Sequence, residues 1–114
     1  MSERLRGHQR IDERSIAYHE AIAEKLRAHP EMIGIAFENL DRWSARGGNS
    51  QRYWDAWRDI LRRPLPEVLA LIVERSEKMT AMRQTSPFAG VLTPAERWAI
   101  HARFAPSAAE LHDS

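Results

Sequence analysis

Cysteine is absent, which excludes a disulfide scaffold and a thiolate zinc site. No apolar run approaches the roughly 20 residues that a membrane-crossing helix needs. An excess of one charge is missing as well: 17 basic residues against 16 acidic ones leave a formal net charge of +1. A non-specific nucleic-acid binder carries a larger basic excess, so that class loses weight. Glycine is sparse, and no glycine-rich phosphate loop of the GxxxxGK type occurs. Residues 1–14 are charged and lack the apolar centre of a signal peptide, so the cytoplasm is the expected location and no membrane is expected as a partner.

What is present suits one small globular domain. A chain of 114 residues buries roughly two-thirds of the surface that its unfolded form exposes. Hydrophobic residues make up 43% and charged residues 29%, which argues against wholesale disorder.

The apolar residues recur with helical period. Residues 1–11 read as a flexible basic arm, residues 12–105 as a helical bundle, and residues 106–114 as a loose tail. The first helix starts at Asp12, with Ile16, His19, Ile22, Ala23 and Leu26 on one face, and ends at His29-Pro30. Pro30 opens a second helix with Ile33, Ala36, Phe37, Leu40 and Trp43, stopped by Gly47-Gly48. Asn49-Ser50 offers a cap to a third, aromatic helix carrying Tyr53, Trp54, Trp57, Ile60 and Leu61, which ends at Arg63-Pro64. A fourth helix runs from Pro66 through Val68, Leu69, Ile72 and Val73 to Met79 and Met82, with Glu74 and Lys78 as an i,i+4 pair. The segment 84–92 is a loop punctuated by Pro87 and Gly90. Thr93, Pro94 and Glu96 then spell the start of a fifth helix, with Thr93 and Glu96 as a capping box. The expectation is an all-α bundle of about five helices. Its core would hold Ile22, Leu26, Phe37, Leu40, Trp57, Leu69 and Ile72.

Catalytic and metal signatures do not assemble. None of the five histidines is paired at i,i+4, and neither HExxH nor a GxSxG elbow occurs. His19 lies within an apolar stripe and reads as a satisfied core or rim histidine. Glu20 with Glu24, and Asp55 with Asp59, sit among basic residues and read as solvated faces. No metal, no cofactor and no enzymatic activity are expected. Trp43, Trp54 and Trp57 fall on apolar stripes. Core packing is the first reading for Trp98 too, with an interface anchor beside Arg97 as the alternative.

Three segments carry a resemblance. ENLDRW at 38–43, WRDILRRP at 57–64 and above all RQTSPFAGVLTPAERW at 83–98 look like a group of small bacterial helical proteins. The likeness spans about Glu31 to Phe104. Members of that group are often encoded beside a nucleotidyltransferase-like protein, an arrangement similar to toxin–antitoxin modules. The resemblance therefore implies an antitoxin-like protein that binds and neutralises such a toxin, and it implies no catalytic residues. On this reading the partner-binding residues are Arg83, Ser86, Pro87, Phe88, Arg97 and Trp98, with Phe88 as the anchor. The alternative for the loop is a hydrophobic plug beneath the bundle, built on Phe88, Val91 and Leu92. The alternative function is a DNA-binding transcriptional regulator using the basic N-terminal arm, with the N-terminal Arg4, Arg6, Arg10 and Arg14 as phosphate contacts. The near-neutral charge does not favour DNA, and the sequence leaves the oligomeric state open, a homodimer included.

Overall fold

The computed structural model describes the backbone over residues 3–104 and side-chain environments over residues 12–104. Among the described residues there are six α-helices, one 3-10 turn and no strand, so the fold is all-α. The helices are α1 (Glu3–Ala28), α2 (Ile33–Ala45), α3 (Gln51–Leu61), α4 (Leu65–Leu71), α5 (Glu77–Arg83) and α6 (Pro94–Arg103), with the 3-10 turn at Pro30–Met32 joining α1 to α2. α1 is the long spine, packed against α4 and α6, while α2 lies on α3 and α3 on α4.

Two expectations change. α1 begins at Glu3, so the stretch expected as an arm has helical backbone. Glu, Leu, Arg and Gln dominate that stretch and favour a helix; its single glycine, Gly7, costs only about 1 kcal/mol. The expected tail over 106–114 lies outside the described residues.

The expected fourth helix is two helices, which raises the count from five to six. The chain breaks over residues 72–76, where Ser76 caps α5 by accepting a hydrogen bond from the Met79 amide at 3.2 Å. Arg83 completes the break. Its buried guanidinium donates to the Ile72 carbonyl at 3.2 Å and the Glu74 carbonyl at 2.7 Å. A helix end leaves carbonyls without intrahelical donors, and Arg83 supplies donors from the far end of α5. Glu74 therefore sits outside both helices and accepts from the Ser76 hydroxyl instead of pairing with Lys78.

Prolines and glycines stop the helices as their chemistry requires. Gly47 and Gly48 have φ of +73° and +110°, and the Thr93–Glu96 capping box forms with Pro94 in the first turn. Ser50 occupies its cap position without making a side-chain cap bond.

Leu26, Ala36, Leu40, Trp57, Val68 and Ile72 are fully enclosed. Phe37, expected in the core, is only half-buried. The buried face of α2 carries Ala36, Asn39 and Leu40 at i, i+3 and i+4, and Phe37 falls to the side of it. A polar residue takes a core position there, for a reason that the loop explains.

Candidate functional site

The loop 84–93 is the centre of the structure's polar architecture. Phe88, Val91 and Leu92 are buried, and Pro87 is fully enclosed. The loop is thus a plug. Backbone buried in this way needs hydrogen-bond partners, and Asn39 provides them. Its side-chain amide donates to the Pro87 carbonyl at 2.8 Å and the Ala89 carbonyl at 2.9 Å. The Arg42 guanidinium donates to the Asn39 amide oxygen. The Trp57 indole N–H lies 3.2 Å from both the Met82 carbonyl and Thr85 Oγ1. The Phe88 ring meets Trp57 edge-on at 5.6 Å and His19 edge-on at 6.0 Å. Gly90 turns the chain with φ of +96°.

The segments 38–43, 57–64 and 83–98 therefore meet in one place. Asn39 comes from the first, Trp57 from the second, and both hold the loop of the third. Sequence reasoning missed Asn39. Its signal was a polar residue on the apolar stripe, three residues after Ala36 and beside Leu40.

The structure also brings together residues far apart in sequence. Ser86 Oγ lies 2.9 Å from His19 Nε2, and His19 Nδ1 lies 2.7 Å from the Ser15 carbonyl. A carbonyl only accepts, so Nδ1 carries the proton and Nε2 accepts from the Ser86 hydroxyl. This has the connectivity of a nucleophile, a base and an orienting group. The electrostatics oppose that use. Burial pulls the His19 pKa from 6.5 down to about 4; the Ser15 hydrogen bond resists this, and the nearby Arg83 charge adds to it. A general base works best with a pKa near the working pH, and here the imidazolium faces a carbonyl rather than a carboxylate. The pair is suited to latching the loop onto α1 as a neutral hydrogen bond.

Beside this latch is a cleft of about 400 Å³ between α1, α5, the loop and the first turns of α6. Ile22, Phe88 and Leu92 line its apolar part, and Arg14, Arg83 and Arg97 contribute cationic side chains. A second, more open hollow lies against Trp43 and Trp54, whose rings sit 5.0 Å apart.

α6 is placed by two long-range contacts. Lys25 of α1 pairs with Glu96 at 2.8 Å, and the Tyr18 hydroxyl donates to the Arg97 carbonyl at 3.2 Å. The Lys25 and Thr93 hydrogen bonds hold the Glu96 carboxyl down to about 2, below the ordinary 4.5. Only Ile100 of α6 is buried. Trp98, read first as core, is 69% exposed, the one large hydrophobic residue so placed among the described residues. Its ring leans on His101 at 5.6 Å.

The six residues expected to bind a partner thus divide. Arg83, Pro87 and Phe88 are buried, so Phe88 does not stand out as an anchor; Ser86 is half-buried and bonded to His19; Arg97 and Trp98 are exposed. Among the described residues no group of three or more histidine or acidic side chains could hold a metal ion. Compared with family profiles, curated proteins and solved structures, the chain has no match.

Proposed function

We propose that the protein acts by binding another protein, as an antitoxin-like subunit that neutralises a nucleotidyltransferase-type toxin encoded nearby. The exposed face of α6 is its docking surface. The observation that carries this reading is Trp98, 69% exposed on a scaffold that, among the described residues, encloses the other large apolar side chains in whole or part. An exposed tryptophan beside an arginine has the composition of an interface hot spot. Arg97, His101 and Arg103 are exposed on the same helix, while its one acidic residue, Glu96, is paired with Lys25. Such a face favours an acidic partner surface. The metal-holding carboxylates of a nucleotidyltransferase site are one, and covering them would block catalysis. The loop has a supporting part in this scheme: latched at Asn39, Trp57 and His19, it holds the start of α6 in a fixed place.

The test is co-expression with the adjoining nucleotidyltransferase-like gene. The parent chain should restore growth and co-purify with the toxin. Trp98→Ala should keep its thermal stability and lose both properties. A variant that neutralises as well as the parent overturns the α6 assignment, and the lack of any such neighbouring gene overturns the antitoxin reading.

A further inference from the structure

We propose that the cleft between α1, α5 and the 84–93 loop is a binding site for a small organic anion with a flat apolar body. The cleft shares Arg97 with the docking face of α6, but it does not depend on the docking role of Trp98 and stands or falls without it. Three features carry the inference.

The first is shape and lining. About 400 Å³ is room for a compact ligand, and its walls combine an apolar surface with a few polar groups, the usual make-up of a small-molecule site. Phe88, Tyr18 and His19 give it aromatic faces and edges, which suit a flat ring.

The second is charge. Arg14, Arg83 and Arg97 line the cleft, and Asp12 is the one acidic residue among the lining residues. His19 is held neutral by burial and by its neighbour Arg83. No ion pair involves Arg14, Arg83 or Arg97 among the described residues. The cleft is therefore cationic, and an anion entering it gains charge-assisted hydrogen bonds in partly excluded solvent.

The third is the state of Arg83. It is 95% buried, being only 5% exposed. Its partners are two carbonyls and the Thr80 hydroxyl, all neutral, and its Nε–H has no acceptor. A buried charge is ordinarily matched by a counter-charge. Among the described residues none stands at contact, Asp12 and Glu74 acting on Arg83 only through space, and a bound anion in the adjoining cleft would supply one. A guanidinium is also the group best fitted to a carboxylate or phosphate. Aryl carboxylates and aryl phosphates share this chemistry.

The experiment is a titration of the full-length ¹⁵N-labelled chain with 2-naphthoate, with phenyl phosphate, with neutral 2-naphthol and with inorganic phosphate, followed by amide shifts. The expected result is saturable movement of the Ser86, Phe88 and Gly90 amides with 2-naphthoate or phenyl phosphate, whichever head group the site prefers. Arg97→Gln and Arg14→Gln should each weaken that binding about tenfold. Arg97 is exposed and Arg14 half-buried, and neither side chain makes a hydrogen bond among the described residues, so these variants should fold. Trp98→Ala should bind as the parent does. Equal binding of 2-naphthol would reduce the site to an apolar hole and overturn the proposal. So would saturation by inorganic phosphate alone at the same concentration, or amide shifts confined to α6 beyond Trp98, or no saturable shift with either aryl anion.

Discussion

Lowering the pH should strip stability from this protein through His19. The ring is neutral in the folded chain, with both nitrogens in use between Ser15 and Ser86. Burial holds its pKa at about 4 against an ordinary 6.5. The unfolded chain therefore takes up a proton near pH 6.5, while the folded chain resists until about pH 4. Between those values the unfolded state binds more protons, so stability falls as the pH falls. Each pH unit in that window removes about 1.4 kcal/mol, or about 3 kcal/mol across the whole of it. A small domain has about 5–15 kcal/mol to lose. Glu13 and Glu96 also have lowered pKa values, from hydrogen bonds to Arg75 and to Lys25 respectively. Their contributions are present above the ordinary carboxylate range and lost below it. The interval from about pH 6.5 to pH 5 thus reports on His19, and it should show a loss of about 2 kcal/mol. Urea unfolding across that interval, on the parent and on His19→Gln, isolates the effect. The variant should start less stable, because it loses the latch, and should show a flatter curve. Imidazole titration by NMR should place His19 near 4. Parallel curves for the two proteins, or a His19 ring titrating at its ordinary value, would refute the reasoning.

Further outcomes follow from the packing. Asn39→Ala leaves the Pro87 and Ala89 carbonyls without donors and should cost about 2 kcal/mol, read by chemical denaturation together with faster proteolysis of the loop. Arg83→Met uncaps α4 and should cost a similar amount, about 2 kcal/mol, with faster hydrogen exchange over residues 72–76. Gly90→Ala places a side chain at φ of +96° and should destabilise by about 1–2 kcal/mol, although a Cβ there meets only Ile35 at an ordinary 3.6 Å. Phe37→Ala should fall below the roughly 3–5 kcal/mol of a fully buried ring, because that side chain is half-exposed; a loss in the full range would mean the ring is enclosed in solution.

Much of this architecture can be read locally. Helical period, the prolines at 30, 64, 66 and 94, the paired glycines at 47 and 48, and the Thr93–Glu96 box act within a few residues, so the chain states where its helices run and stop. Ile22, Leu26, Leu40, Trp57, Leu69 and Ile72 announce themselves as core by the same periodicity. The break between α4 and α5 could not be read in this way. Its apolar stripe continues through Val73, and what divides it is Arg83, arriving from the other end of α5 to satisfy carbonyls that a straight helix would have satisfied itself.

The candidate site belongs to the tertiary structure almost entirely. The sequence marks SPFAGVL as unusual for a linker, but whether Phe88 turns outward or inward depends on what satisfies the polar groups of the loop around it. Asn39 does so at the Pro87 and Ala89 carbonyls and Trp57 at the Thr85 hydroxyl, both from distant helices. His19 and Ser86 stand 67 positions apart and become partners only when α1 lies along the loop. Trp98 shows the converse: its spacing fits an apolar stripe, yet the capping box and the Lys25–Glu96 contact hold α6 so that Ile100 alone is enclosed and the indole is left outside. Periodicity ranks the faces of a helix, but only the neighbours that pack against it decide which face is covered.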